Sequence, residues 1–177
     1  ALGFSKSNDE VFKSIERIMF VACGTSFYAA NVAKYLIEQT KQHDWHLRIA
    51  DQYFSPQTLE LKSKGRAEWI QVDLNSDNEW NALFSNVYLV ISLLPPHWHI
   101  KVAQKAVSEG LHMATASYVS DDMRKLEPEI LNKNLFFLNE CGLDPGIDHA
   151  SAMDIISRLK ADACTIEAFY SYCGGLM

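Results

Sequence analysis

The sequence predicts an α/β protein built on a doubly wound parallel sheet. Three observations carry that prediction: short apolar runs recur along the chain, segments of helical periodicity separate them, and several runs are apolar throughout, as strands buried on both faces are.

Ser7 and Glu10 form an S-x-x-E capping box ahead of Val11, Phe12, Ile15 and Ile18, which predicts a short amphipathic helix over 8–16. RIMFVA (17–22) reads as the first strand. Cys23-Gly24-Thr25-Ser26 then turns the chain into a helix carrying Ala29, Ala30, Val32, Ala33, Leu36 and Ile37 on its apolar face. HLRIAD (46–51) is the second strand, Ser55-Pro56 starts a helix reaching Lys62, and WIQVDL (69–74) is the third strand. A polar helix over 77–84, the strand VYLVISLL (87–94) and a helix over 97–109 follow, the last stopped by Gly110. HMATAS (112–117) is the fifth strand, 121–132 a helix and LFFLNE (135–140) the sixth strand. Beyond the loop CGLDPGIDH (141–149) come a helix over 150–159 and TIEAFYSYC (165–173), which alternates like an open-faced strand.

The 177 residues, 48% hydrophobic and 21% charged, are enough for one well-buried core, which excludes a disordered or disulfide-stapled chain. Sixteen basic against 22 acidic residues give a formal charge of -6, so the chain lacks the basic footprint of a nucleic-acid binder. It carries neither a basic run for an anionic membrane nor a continuous apolar run long enough to span one. With no leader pattern at its start, the expected location is cytoplasmic. The four cysteines are far apart and form no Cys-x-x-Cys, so they are expected as free thiols.

Ligands of doubly wound sheets sit off the carboxyl ends of the strands, so the loops there hold the candidate chemistry. The first loop, 22–27, keeps one glycine, Gly24, where a full G-x-G-x-x-G has three; Ala22 and Phe27 stand at the other two places. Thr25 and Ser26 add hydroxyl donors at a helix start, suited to a phosphate, and an ordinary strand-to-helix turn explains the same residues. Asp51 closes the second strand 27 residues after Gly24, where a carboxylate accepts from ribose hydroxyls and repels a 2′-phosphate. That favours NAD over NADP, against the bland reading of a solvated acid with no cofactor bound. Asp73 closes the third strand, facing an adenine edge or capping a turn. Leu94 begins a rigid apolar Leu-Pro-Pro turn fit to lie along a cofactor. His97 and His99 do not share a helix face and have no third ligand nearby, so they are expected as surface or helix-start residues and no metal is expected. Asp148 suits helix capping. Asp144, beside Pro145 and Gly146, is placed to receive a cationic amine or to form a turn.

From about Trp45 onward the chain resembles glutamate-forming saccharopine dehydrogenase, through VISLLPPHWHIKVAQKA, MATASYVSDDMRKL, LNECGLDPGIDHASAMDII and FYSYCGGL in that order. The resemblance implies a Rossmann-like dinucleotide-binding domain over 1–150 and, over 151–177, a helix and the first strand of a truncated substrate domain. It also implies reversible oxidative cleavage of saccharopine to glutamate and 2-aminoadipate 6-semialdehyde, with hydride passed to a nicotinamide. By resemblance Ser117 and Tyr118 line the substrate and nicotinamide end. Leu143, Asp144 and Pro145 lie where cofactor meets substrate, Asp144 receives a substrate amino group, and Asp51 meets the adenosine ribose. No residue is assigned as catalytic. The expected partner is a small saccharopine-like amino acid, and a strand at 165–173 with open edges is suited to pairing in a homo-oligomer.

The first forty residues depart from that pattern. ACGTS after a strand, and AxxVAKYxxE along the helix, resemble the sugar-phosphate-binding isomerase domain of glucosamine-fructose-6-phosphate aminotransferase, where Thr25 and Ser26 hold a sugar phosphate. A chimera with a seam near 40–45 is one reading and natural divergence the other. The leading expectation is a dinucleotide-binding oxidoreductase domain, inactive as a fragment. The alternatives are a chimeric or designed non-catalytic α/β scaffold, and a sugar-phosphate-binding module through the ACGTS loop, against which no second serine-rich phosphate loop appears.

Overall fold

The computed structural model describes residues 15–22, 27–54 and 67–172. Six parallel strands form one sheet: β1 (Arg17–Ala22), β2 (His46–Asp51), β3 (Ala67–Gln71), β4 (Leu89–Leu93), β5 (His112–Thr115) and β6 (Phe137–Leu138), in spatial order β3-β2-β1-β4-β5-β6. The strand order reverses between β1 and β4. In a doubly wound sheet that reversal opens a crevice at the carboxyl ends, and the loop after β4 flanks it.

The helices follow the predicted alternation: α1 (Phe27–His43), α2 (Asp77–Phe84), α3 (Pro96–Glu109), α4 (Asp121–Lys125), α5 (Glu127–Asn132) and α6 (Ile147–Ala161). Successive side chains of a strand point to opposite faces, so each apolar strand feeds two cores. Met19 and Val21 of β1 join Val90, Trp80, Leu83, Val102 and Ala106 in one cluster, with α2 and α3. Ile18 joins Ile49, Leu89, Ala33 and Ile37 in the other, with α1. Arg48 of β2 ties the sheet to the end of α2: its guanidinium donates to the carbonyls of Leu83 and Ser85 at 2.7 and 2.9 Å and pairs with Glu68. Those carbonyls lie where a helix leaves acceptors without intrahelical donors.

Several boundaries differ from expectation for identifiable reasons. The helix expected over 121–132 is two, because Pro128 has no N–H to donate back to Arg124; the break falls at Leu126. Ser120 caps the first piece, its hydroxyl accepting from the Met123 N–H at 3.1 Å. Gly110 ends α3 with φ +73, as expected of a helix-stopping glycine. The third and sixth strands are shorter than predicted, and α6 begins three residues earlier. Residues 165–172 are not in a strand: their side chains are largely exposed and among the described residues no strand pairs with them, and alternation alone does not hold a strand. Of the expected helix over 8–16, Ile15 and Glu16 are not helical and the rest lies outside the described residues, as does the helix begun at Ser55-Pro56. The thiols of Cys141 and Cys164 are free, and Cys23 and Cys173 lie outside the described residues.

Candidate functional site

Polar side chains cluster at the carboxyl ends of β4 and β5. Ser92 sits within β4 with no exposed surface, Thr115 ends β5, and His99 projects from the first turn of α3. Of the two expectations for His99, surface or helix-start residue, the helix-start one holds, but its side chain is 5% exposed and belongs to the core. Its Nδ1 lies 2.9 Å from Ser92 Oγ and its Nε2 2.8 Å from Ser117 Oγ. Burial, and secondarily the neighbouring His97, hold its pKa below the ordinary histidine value, favouring the neutral ring. His97 is exposed, as expected.

Sequence reasoning missed His99 because a lone histidine at a helix start looks like a solvated one. The available signal was its neighbours: Ser92 inside the apolar run VISLL, and Thr115 and Ser117 closing an apolar strand. Buried hydroxyls require partners, and an imidazole can serve two at once.

The loop after β6 is laced to the loop after β5. The Glu140 N–H donates to the Ser117 carbonyl at 3.0 Å, the Cys141 N–H to that of Thr115 at 3.2 Å, and the Val119 N–H to Glu140 Oε1 at 3.3 Å. The loop then closes on itself. Gly142 N–H donates to the Pro145 carbonyl at 2.9 Å, and Ile147 N–H to the Gly142 carbonyl at 2.9 Å. Gly146 has φ +148, and a Cβ there would come within 2.1 Å of the Gly142 oxygen, so the closure depends on glycine. The Asp144–Pro145 peptide is cis.

This lacing brings four of the predicted site residues to one place. Tyr118 Oη donates to Asp144 Oδ1 at 2.5 Å, beside Ser117 and Pro145. Leu143, in the same loop, is 69% exposed, whereas Leu94 after β4 is buried. Asp148 is not the N-cap of α6. That position is Gly146, whose N–H donates to Asp148 Oδ1 at 2.8 Å, and His149 Nδ1 lies 2.8 Å from the same oxygen.

Asp51 and Asp73 lie on the other side of the sheet, at the exits of β2 and β3. Asp51 is buried, and its Oδ1 accepts from the Tyr53 N–H at 3.1 Å. Asp73 accepts from the Asn75 N–H at 2.9 Å, the turn-capping alternative, while its own N–H donates to Glu79 Oε2. Gly24, Thr25 and Ser26 lie outside the described residues. Among the described residues no group of three or more His, Cys, Asp or Glu side chains is placed to hold a metal ion, and no helix is long and apolar enough to cross a membrane.

Comparison with known proteins matches residues 27–138 to the saccharopine dehydrogenase NADP binding domain and 142–177 to the saccharopine dehydrogenase C-terminal domain. The chain is 37% identical over 107 residues to the NADP(+)-dependent, L-glutamate-forming saccharopine dehydrogenase of Saccharomyces cerevisiae, covering 60% of this chain and 24% of that protein. The apo structure of the yeast L-glutamate-forming enzyme superimposes with a TM-score of 0.69 at 28% identity, over 82% of this chain and 32% of that one. The chain thus spans about a quarter of that relative's length. The second resemblance has a short counterpart: 42% identity over 50 residues to a glutamine–fructose-6-phosphate aminotransferase of Neisseria meningitidis, covering 28% of this chain and 8% of that protein.

The matched domain binds NADP, which overturns the expected preference for NAD. That expectation treated Asp51 as a carboxylate presented to the ribose and repelling a 2′-phosphate. In the structure the carboxylate is buried and turned back onto the Tyr53 amide, where it holds the strand exit.

Proposed function

The chain belongs to the saccharopine dehydrogenase family, and from that premise we propose that it forms the NADP-binding half of a site that oxidises the C–N bond of saccharopine. The single observation that carries this reading is the Tyr118–Asp144 pair, held by the lacing of the 139–146 loop to the β5 exit. Two segments that the resemblance assigns to the substrate end meet there, although 26 residues separate them in sequence.

NADP, when bound, supplies the hydride acceptor for the reaction. The residues present fit its nicotinamide end: Pro95, next to the buried Leu94, offers an apolar rim, and Ser117 and Tyr118 offer hydroxyls to polar substituents. The carboxylate of Asp144 receives the ammonium group of the amino-acid substrate, and Tyr118 fixes the direction from which that charge is met. Leu143 and Pro145 flank the junction. Asp51 and Asp73 shape the adenosine end by holding the turns after β2 and β3, and Gly24, Thr25 and Ser26, which precede α1 in sequence, are assigned to the pyrophosphate in this proposal. Saccharopine is the substrate, and glutamate and 2-aminoadipate 6-semialdehyde are the products of the complete site. Residues 1–150 form the cofactor domain, and 151–177 begin the substrate domain.

Hydrogen exchange with and without NADPH tests this placement. The expected result is slowed exchange in 92–99, 115–118 and 139–146. Protection confined to other segments, or none, overturns it.

A further inference from the structure

The buried Ser92–His99–Ser117 chain has a direction, and the direction decides what Ser117 offers a ligand. A neutral imidazole donates from one nitrogen and accepts at the other. Ser92 Oγ is fully buried, and among the described residues its hydroxyl has no hydrogen-bond partner other than His99 Nδ1, at 2.9 Å. Were Nδ1 to carry the proton, the Ser92 hydroxyl would be left without an acceptor inside the core, a costly arrangement. The Ser92 O–H therefore donates to Nδ1, and the ring proton resides on Nε2. Nε2–H then donates to Ser117 Oγ at 2.8 Å, which turns the Ser117 hydroxyl proton away from the ring. Thr115 Oγ1 lies at 3.4 and 3.3 Å from the two ring nitrogens, longer than either serine contact, and accepts from the Ser117 N–H at 3.3 Å. Lowering of the His99 pKa by burial and by His97 keeps the ring in the neutral form on which this polarity depends.

We propose that His99 is a positioning residue: locked by Ser92 in its Nε2–H tautomer, it makes Ser117 a hydrogen-bond donor toward an acceptor oxygen at the nicotinamide end. The assignment of Ser117 to that end rests on the function proposed above. The tautomer itself does not.

The test has two arms on the full chain. In the first, imidazole ¹⁵N shifts of His99 are recorded without ligand. Nδ1 is expected to resonate as an unprotonated, pyridine-type nitrogen and Nε2 as a protonated one; the reverse pattern overturns the proposal. In the second, NADPH and adenosine 2′,5′-bisphosphate, which lacks the nicotinamide, are titrated into Ser92→Ala, Ser117→Ala and the double variant. Each single change is expected to weaken NADPH binding about three- to tenfold and to leave the bisphosphate unaffected, with the double variant no weaker than Ser117→Ala alone. Additive losses, equal losses for both probes, or no loss in Ser117→Ala overturn it. Failure of the unaltered chain to bind NADPH overturns the proposed function, while the ¹⁵N pattern still decides the tautomer.

Discussion

Tyr118 Oη and Asp144 Oδ1 are 2.5 Å apart across 26 residues of sequence, and both side chains stand exposed at the carboxyl end of the sheet. An exposed pair contributes little to folding, so its effect belongs to whatever binds there. On the proposed role of Asp144 in receiving the substrate ammonium, Asp144→Asn is expected to change stability by less than about 0.5 kcal/mol while weakening saccharopine binding at least about tenfold, as loss of a charged hydrogen-bond acceptor does. Chemical denaturation and calorimetry with saccharopine in the presence of NADPH check the two halves.

Gly146→Ala places a Cβ against the Gly142 oxygen and nitrogen in a conformation that other residues rarely adopt. The loop closure must open, and a loss of about 2 kcal/mol or more is expected. The midpoint of urea unfolding measures it.

Arg48→Met keeps the aliphatic stem and removes donors from the Leu83 and Ser85 carbonyls and from Glu68. The expected cost is about 1–3 kcal/mol, because the Leu83 acceptor is part-buried and loses its charged partner. Thermal unfolding monitored by circular dichroism checks it, and Glu68→Gln, which removes only the exposed half of the contact, is expected to cost much less.

Two histidines give stability opposite dependences on pH. The hydrogen bond and charge of Asp148 raise the pKa of His149 above 6.5, so its contribution is full below that value and is lost as pH rises through the raised pKa. For Asp148 desolvation opposes ionisation, but hydrogen bonds from His149 and from the Gly146 and His149 amides outweigh it and hold the carboxyl below its ordinary value. Its share is therefore lost as pH falls through the lowered pKa. Burial of His99 has the other sign. The unfolded chain takes up a proton near 6.5 that the folded chain resists, so stability falls as pH drops below that value and levels off below the lowered pKa. Urea midpoints measured across pH should lose the alkaline decline in His149→Ala and keep the acid decline.

The sheet was legible in the sequence because burial on both faces leaves strands such as RIMFVA and LVISL with few polar positions. Turn chemistry located the end of α3 at Gly110. TIEAFYSYC alternates well, yet among the described residues 165–172 have no pairing strand, and pairing is what a sequence pattern cannot supply. His99 was misread for a related reason: its role depends on Ser92 and Ser117, which reach it only through the β4–β5 crossover. The preference for NAD failed on a side-chain direction, since an acid at a strand exit serves a ribose or its own turn according to where the carboxylate points, and Asp51 serves Tyr53.

Calorimetric titration of the chain with NADPH and NADH in parallel tests the central claim most directly. NADPH is expected to bind at least about tenfold tighter than NADH, the preference that the match to an NADP binding domain implies. Tighter binding of NADH, or binding of neither, would contradict the assignment of this sheet as an NADP-binding domain.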